Sequence, residues 1–302
     1  MASLPLDLGG RVIVVGDPRQ MPPIVQHAWE TEPRRTFQEF KSYESLFNAL
    51  AGLGPPFIRF EESFRLHGAM AKFLRDEIYI KDGIDYHSHR TKVLGKVDHA
   101  DPFVAAVLDP ACPLVVIVHD EAESQSRNAF EEKLIGPVLR ALADPQGHGL
   151  TARDGLGIVV PHRAQRVALR KAFPELCLLD QETGEILVEA VDTVERYQGE
   201  EREVILVSAT ESDPEYLQAS AGFLLDPRRL TVALSRAKRK MILIASRTIF
   251  NYFSPDEETF LNAQLWKNLL RRTCTVPLWQ GEQDGRAVEV WGHESGGQAT
   301  EE

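Results

Sequence analysis

Short apolar runs recur along the chain, and polar segments separate them. The runs span residues 12–15, 56–60, 114–118, 156–160, 186–191, 203–208 and 240–245. They are rich in Val, Ile and Leu and do not alternate with polar residues, which is typical of strands buried on both faces of a parallel sheet. We therefore predict a strand at each run.

Helical periodicity lies between these runs, at residues 42–52, 66–80, 127–143, 163–173 and 229–238. Ser126 or Asn128 is a candidate cap for the third helix, and Pro161 or His162 opens the fourth. Strands that alternate with helices predict an α/β fold, with a mostly parallel sheet and helices on both faces. Residues 81–111 show weak periodicity and are expected to be irregular. The segment "VPLWQGEQDGRAVEVWG" predicts a hairpin, followed by a disordered acidic tail.

The composition is that of an ordinary soluble protein: 302 residues, of which 43% are hydrophobic and 26% charged. Its apolar runs are far shorter than the ~20 residues of a membrane-spanning helix, and the N-terminus does not read as a signal peptide. Cys112, Cys177 and Cys274 are far apart, and no Cys/His cluster has metal-binding spacing. We therefore expect a cytoplasmic protein with reduced thiols, no membrane partner and no bound metal cluster.

A net charge of −11 argues against non-specific coating of nucleic acid. Basic residues nevertheless cluster at 228–229, 236–240 and 271–272, and these clusters fit either a local binding groove or a solvated face.

The loops that follow the predicted strands carry the candidate chemistry, because ligands of open parallel sheets bind at the carboxyl ends of strands. These loops read "GDPRQMPP", "EESFRLH", "PHRAQ" and "DTVERYQGEE". Asp, Gln, Arg and Glu at strand ends are the residue types that anion and nucleotide binding needs.

Six blocks in this order resemble the conserved motifs of superfamily 1 helicases, in particular the Upf and Sen branch, superfamily 1B. "VVGDPRQMPP" resembles motif III, and "ESFRLHGAMAKFLRDEIY" resembles motif IV. "SQSRNAFEE" and "GIVVPHRAQ" resemble the segments that follow. "VEAVDTVERYQGEEREVILVSAT" resembles motif V, and "LTVALSRAKRKMILIAS" resembles motif VI. The resemblance spans residues 11–246 and implies RecA-like P-loop NTPase domains that use ATP and Mg²⁺.

This resemblance implies a nucleotide site. Gln20 would sense the γ-phosphate, Asp17 would lie near the metal, and Phe64 would pack on the adenine. Arg65 and Arg236 would reach the γ-phosphate, for which the planar, permanently charged guanidinium is well suited. Glu201 would lie at the nucleotide. The alternatives are a salt bridge at a helix start for Arg65, a solvated helix position for Arg236 and a core position for Phe64.

The resemblance also implies a track for single-stranded DNA or RNA. The residues that match it are Pro22, Pro161, His162, Arg163, Gln165, Thr193 and Gln198. The alternative for Gln198 is a simple turn with Gly199.

The sequence contains no GxxxxGKS or GxxxxGKT phosphate loop. Asp120-Glu121 superficially resembles the acidic metal-binding pair of such motors, but it follows motif III instead of preceding it, and we interpret it as a solvated acidic loop. We therefore expect a truncated first RecA-like domain at 1–61, a nearly complete second domain at 62–275, and a hairpin and tail at 276–302. A P-loop-bearing N-terminal segment or subunit would be the partner.

Two functional hypotheses follow, together with a third outcome. The chain is a motor domain of an ATP-driven helicase or translocase, inactive as an ATPase on its own. Alternatively, it is a non-catalytic module that binds nucleic acid or a partner. The third outcome is a non-functional remnant that folds poorly.

Overall fold

The chain divides into two compact units, Met1–Ile58 and Arg59–Glu302. The computed structural model describes residues 13–21, 47, 54, 56–197 and 199–293. The regular elements named below lie in the second unit.

The strands of the second unit are β1 (Leu114–His119), β2 (Leu156–Val160), β3 (Cys177–Leu179), β4 (Ile186–Glu189), β5 (Val191–Thr193), β6 (Arg202–Ser208), β7 (Ala237–Ser246), β8 (Val276–Gln283) and β9 (Arg286–Gly292). The α-helices are α1 (Gly68–Glu77), α2 (Pro102–Val107), α3 (Ala129–Ala143), α4 (Arg163–Ala172), α5 (Pro214–Leu224), α6 (Pro227–Leu234), α7 (Arg247–Asn251) and α8 (Glu257–Asn268). Short 3₁₀ turns occupy Tyr79–Asp82 and Pro174–Leu176, and a π-helical turn spans Leu269–Thr273.

A seven-stranded sheet in the order β5-β2-β6-β7-β1-β9-β8 organises this unit. The first five strands of that order are parallel, and β9 pairs with β1 antiparallel. Every residue of β1 and β2 is buried, because a central parallel strand is covered on both faces. The predicted α/β class with a RecA-like, mostly parallel sheet is confirmed.

Helices cover both faces of the sheet. On one face, Val115 and Ile117 of β1 belong to the same buried cluster as Leu134 and Val138 of α3. On the other face, the walls of a small cavity include Val159 and Val207 of the sheet together with Leu224, Leu230 and Trp266 of α5, α6 and α8. The predicted two-sided covering of the sheet is confirmed.

Two predicted strands are wrong within the described residues. Residues 13–15 and 56–60 have no strand conformation, and their apolar side chains are largely exposed, Ile13 by 88%. An apolar run becomes a buried strand only where neighbouring strands pair with it, and neither run belongs to the two sheets that the described residues form. The predicted helix at 42–52 lies outside the described residues, except for Phe47, which is helical.

The predicted strand at 186–191 is divided in two. Its first part, β4, pairs antiparallel with β3 and leaves Ile186 and Leu187 exposed, while Val191 begins β5, the outermost strand on one side of the main sheet. Similarly, the predicted helix at 229–238 ends at Leu234. The chain then has to enter β7, because Ala237 pairs with Arg202 of the neighbouring strand.

The helices α2, α5 and α8 were missed by periodicity, although an Asp cap marks the start of each, at Asp101, Asp213 and Asp256. In α2 and α5 the cap is followed by Pro at the first helical position, and α6, which periodicity does predict, begins in the same way. α2 therefore interrupts the 81–111 segment that we predict to be irregular. Of the two residues predicted as candidate caps of α3, Asn128 is the cap. Its side chain accepts hydrogen bonds from two backbone N–H groups.

The predicted hairpin is confirmed as β8 and β9. Asp284 and Gly285 form its turn with positive φ angles of 50° and 71°, as a two-residue hairpin connection requires. Because β9 pairs with β1, the boundary that we predict near residue 275 falls within one continuous sheet. Among the described residues, no helix is long and apolar enough to cross a membrane.

Candidate functional site

The parallel strands give the sheet two chemically different edges. We call the edge where β1, β2, β5, β6 and β7 begin the strand-start edge, and the edge where they end the strand-end edge. Glu201 and Arg236 immediately precede β6 and β7, whereas Pro161, His162 and Arg163 follow β2 and Thr193 ends β5. Glu201 and Arg236 therefore lie at the opposite edge from Pro161, His162, Arg163 and Thr193.

At the strand-start edge, one carboxylate is shared by two cations. Glu201 Oε2 lies 2.6 Å from Arg65 Nε, and its Oε1 lies 2.6 Å from Lys238 Nζ. Arg65 Nη1 also donates to the backbone oxygen of Ser235 at 3.2 Å. The hydrogen bonds from Lys238 and then Arg65 hold the pKa of Glu201 below its usual value. All three side chains remain partly exposed, so a dissolved anion has access to this cluster.

Arg236 lies deeper at the same edge, with only 3% of its surface exposed. Its guanidinium donates to the backbone oxygens of Val232 and Glu200, at 3.1 and 3.4 Å, and to Ser235 Oγ at 2.9 Å. The solvated helix position considered for it is wrong, because the residue lies in the turn between α6 and β7. Burial, followed by the nearby charge of Arg65, lowers the pKa of Arg236 to about 10. The side chain therefore stays charged at neutral pH.

Phe64 precedes Arg65 and is 73% exposed. Its backbone oxygen accepts a hydrogen bond from the Arg90 guanidinium, which fixes the local chain direction. The core position considered for this ring is wrong, and its face is accessible to a planar ligand.

Asp17 and Gln20 belong to the first unit, where they form a local turn. Gln20 Nε2 donates to Asp17 Oδ2 at 3.0 Å, and the backbone N–H of Gln20 donates to Asp17 O at 3.2 Å. The predicted γ-phosphate sensor and its predicted neighbour thus contact each other directly. Pro22 and Gln198 lie outside the residues that the structure describes.

His162 is the centre of a small cluster at the strand-end edge. Its Nε2 lies 2.7 Å from Oε1 of the fully buried Glu211, whose other oxygen accepts a hydrogen bond from Ser220. The imidazole stacks on Phe223 at 5.8 Å with an interplanar angle of 19°, and Arg229 lies over the same ring, with its guanidinium carbon 3.5 Å from the ring centroid. Sequence reasoning missed Glu211, Ser220 and Phe223, and the Asp213-Pro214 start of α5 was the one local signal for this region.

Arg163, the first residue of α4, is exposed, and no hydrogen bond or ion pair of its guanidinium occurs among the described residues. Thr193 and Pro161 are half-buried beside it in the adjacent strand ends. Arg163 is therefore the most accessible positive charge among the predicted nucleic-acid residues.

Gln165 has a different environment from its predicted neighbours, because it is fully buried. Its Oε1 accepts from the backbone N–H of Asn128 at 2.8 Å, and its Nε2 donates to Asn128 O at 3.3 Å. The side chain therefore joins the start of α3 to α4 and does not face solvent.

Behind the strand-end edge lies a buried polar network. Glu131 accepts hydrogen bonds from the backbone N–H of Thr210, at 3.1 Å to each oxygen, and from Ser208 Oγ, and it lies 3.3 Å from His119 Nε2. All four residues are fully buried. Thr210 has a positive φ of 66°, an unfavourable backbone conformation for a β-branched residue, which the bonds to Glu131 help to hold.

Glu121 extends this network and explains the Asp120-Glu121 pair. Its carboxylate accepts from Ser212 Oγ at 2.6 Å, from Asn128 Nδ2 at 2.8 Å and from the Glu123 N–H at 2.7 Å. Burial alone would raise the pKa of Glu121, but these hydrogen bonds hold it below its usual value. The expectation of a solvated loop is wrong for Glu121, and Asp120 is exposed and paired with Arg247.

A family model described as an AAA domain matches residues 42–248. The yeast Saccharomyces cerevisiae helicase SEN1 is 25% identical over 298 residues, which cover 94% of this chain and 12% of that protein. The mouse DNA replication ATP-dependent helicase/nuclease DNA2 is 27% identical, with 86% of this chain and 25% of that protein covered. The Drosophila melanogaster regulator of nonsense transcripts 1 homolog is 26% identical, with coverage of 88% and 20%. The chain thus spans a quarter or less of each of these relatives.

Proposed function

We propose that this chain, which belongs to the AAA domain family and is related to helicases, supplies the second motor domain of an ATP-dependent, superfamily 1 DNA or RNA helicase or translocase. In this function the strand-start edge binds the nucleotide phosphates and the strand-end edge binds the single strand.

The arrangement of Arg65, Arg236 and Glu201 is the observation that best supports this proposal. Two guanidinium groups lie at one edge, close enough for the charge of Arg65 to lower the pKa of Arg236, and Arg65 is held by a carboxylate that solvent can reach. Concentrating two positive charges is unfavourable for a domain on its own, but it favours binding of a polyanion such as a triphosphate. Phe64 adds an exposed ring for the nucleotide base.

The strand-end edge offers the groups that a single strand requires. Arg163 is a charge for a backbone phosphate, and the imidazole of His162 is held in place by Glu211. Contacts of this kind give sequence-tolerant, salt-dependent binding, so we assign no preference between DNA and RNA.

The phosphate-binding loop is absent from the 302-residue sequence, and phosphoryl transfer by such motors requires it. We therefore propose that this chain contributes half of an ATP site. A P-loop-bearing segment or subunit would supply the other half. Bound Mg²⁺ would be held mainly by that partner and by the triphosphate.

An ATPase assay tests the proposal. The chain is measured alone and together with a P-loop-bearing RecA-like domain from a related helicase, with Mg²⁺ and a single-stranded polynucleotide. We expect no turnover from the chain alone. With the added domain we expect turnover that Arg236→Ala reduces by about 10³-fold, as loss of an arginine finger does. Arg239→Ala, which removes a nearby cation from β7, is the matched control.

ATP turnover by the pure chain that persists in Arg236→Ala would contradict the proposal that this chain supplies half of an ATP site.

A second candidate function is that of a non-catalytic binding module, because the binding groups of the strand-end edge all lie within this unit. Single-strand binding that Arg163→Ala weakens, without any turnover in the mixed assay, would favour that module. Absence of both activities would refute both functions.

A further inference from the structure

We propose that Glu62, His87 and His89 form a binding site for a zinc ion. These residues lie in two segments, 61–67 and 85–90, which isolated bridges join at two points and of which the first bends at residues 64–66. Isolated parallel bridges pair Glu62 with His87 and His67 with Arg90. The backbone N–H of His87 donates to Glu61 O, and that of Ser63 donates to His87 O, each at 2.8 Å. The backbone of the site is therefore hydrogen-bonded in place without an ion.

The pairing explains why the three side chains converge. Bridge partners in adjacent extended segments project toward the same side, and so do residues two apart in one segment. Glu62, His87 and His89 satisfy both relations, and one ligand atom from each lies within 4.8 Å of the other two. The two imidazole rings are 5.3 Å apart.

A tetrahedral zinc ion binds N and O ligands at about 2.0–2.2 Å, which places neighbouring ligand atoms roughly 3.4 Å apart. To bring the three ligand atoms from within 4.8 Å of one another to this spacing, each side chain has to move by about an ångström. Glu62 and His89 are exposed, so rotation about their side-chain bonds achieves this without disturbing the core.

The hydrogen bond of His87 sets its tautomer for metal binding. His87 Nδ1 lies 2.8 Å from the backbone oxygen of Asp85, and a carbonyl oxygen can only accept. Nδ1 therefore carries a proton, and in the neutral ring the lone pair for a ligand lies on Nε2. Histidines that bind metals in proteins are commonly held in this manner by a carbonyl or a carboxylate.

The chemical types of the three ligands indicate which class of metal the site would bind. Two imidazoles and one carboxylate favour zinc and similar transition metals over Mg²⁺ and Ca²⁺, which prefer oxygen ligands. The exposed position leaves the fourth coordination site to water. Sequence spacing gave no sign of this site, because Glu62 is far along the chain from the His87-Ser88-His89 segment.

Metal binding would connect the two segments through side chains as well as through the backbone. Phe64 and Arg65 follow Glu62 in the same segment, so the ion would restrict the motion of the part of the chain that presents them. The site is nevertheless independent of ATP chemistry and can be tested without any turnover.

The test uses the full chain without a histidine tag, stripped of metal by a chelator. Zinc affinity and stoichiometry are measured by competition with a chromophoric chelator, and Co²⁺ absorption in the visible range reports coordination. We expect one zinc ion per chain. We also expect His87→Ala, His89→Ala and Glu62→Gln each to weaken zinc affinity by more than about tenfold. Even the loss of a residue that only orients a metal ligand weakens affinity by about this factor. Glu61→Gln, which alters the adjacent carboxylate on the opposite face, is expected to bind like the wild type.

The melting temperature with and without zinc provides a second measurement. All variants should melt like the wild type in chelator, and only the wild type and Glu61→Gln should gain stability with zinc. An unchanged affinity in the His87→Ala, His89→Ala double variant would overturn the proposal. An equal loss of affinity in Glu61→Gln, or equal stabilisation by Mg²⁺, would also overturn it.

Discussion

At the strand-start edge, Arg65 and Lys238 share the half-exposed carboxylate of Glu201, and Arg236 and Lys240 are held by backbone oxygens. At the strand-end edge the polarity is reversed. Three carboxylates there, those of Glu121, Glu131 and Glu211, are buried and accept hydrogen bonds from other protein groups. One edge thus concentrates cations, of which Arg65 and Lys238 reach solvent, and the other contains hydrogen-bonded anions beneath its surface.

This difference separates residues that we propose to bind ligands from residues that stabilise the fold. A partly exposed ion pair contributes little stability, and its carboxylate can be replaced by a dissolved anion at small cost. A buried carboxylate with several donors is costly to remove, because each donor is left without a partner. Substitutions of the partly exposed Arg65, Lys238 and Glu201 should therefore alter ligand binding, and those in the strand-end network should alter stability.

The largest expected effect is in the buried network. Glu131→Ala leaves the N–H of Thr210 and the hydroxyl of Ser208 without their acceptor, so the free energy of unfolding should fall by about 3–5 kcal/mol. Urea denaturation measures it. Glu132→Ala is the matched control, since Glu132 is in the same helical turn and pairs with the exposed Arg127, and it should cost less than about 1 kcal/mol. Equal losses in the two variants would remove the distinction between the edges.

A second effect concerns pH and the fully buried Lys240, which donates to the backbone oxygens of Asp109 and Cys112 at 2.9 and 2.6 Å. Burial lowers the pKa of Lys240 from 10.5 to about 8. Between these values the folded state binds fewer protons than the unfolded state, so stability rises with pH. The free-energy penalty of burying the charged lysine is fully present below about pH 8 and is relieved toward pH 10.5, a gain in stability of about 3 kcal/mol.

Denaturation of the wild type and Lys240→Met across this pH range provides the check, because the variant lacks the titrating group. The free energy of unfolding of the wild type should rise relative to that of the variant above pH 8. Parallel curves for the two proteins would show that Lys240 has an ordinary pKa in the folded state.

A smaller effect is expected for the exposed Arg163. Arg163→Ala should weaken binding of a labelled single strand by several-fold and reduce the salt slope of binding by about one, with unfolding changed by less than about 0.5 kcal/mol. Fluorescence anisotropy at several salt concentrations measures both binding quantities. Arg153 lies in the turn before β2, at the other edge, and Arg153→Ala should leave single-strand binding unchanged. Equal weakening by both variants would place the bound strand elsewhere.

The smallest expected change in stability is for Glu201→Gln, less than about 0.5 kcal/mol, because solvent screens this ion pair. The same substitution removes the anion shared by Arg65 and Lys238. Calorimetric titration with tripolyphosphate should therefore show affinity several-fold tighter than that of the wild type. Weaker binding would mean that Glu201 orients the two cations for the ligand and does not compete with it.

The central sheet was predictable from the sequence, and much of the site was not. β1, β2, β6 and β7 lie where the apolar runs predict them, since a short run without alternation is typical of a strand covered on both faces. The burial of Arg236 depends on the backbone oxygen of Glu200, and that of Gln165 on Asn128. Neither contact leaves a local pattern, because folding brings these residues together from distant positions.

Predictions also failed where pairing partners decided the outcome. Ile186 and Leu187 have the composition of core residues, yet they pair with the short β3 at the surface. Conversely, the Asp-Pro starts of α2, α5 and α6 are local signals that mark helices even where apolar periodicity is weak.

The β8–β9 hairpin has a practical consequence for anyone who shortens this protein. β9 occupies the side of β1 that β7 leaves open, while the outermost strand, β8, contains Pro277 and alternates exposed and partly covered residues. A polypeptide ended at Thr275 would expose the backbone of a continuous apolar strand, Leu114 to Val118, as a template for other chains. Such a polypeptide should form insoluble aggregates, so expression of this domain should retain residues through Gly292.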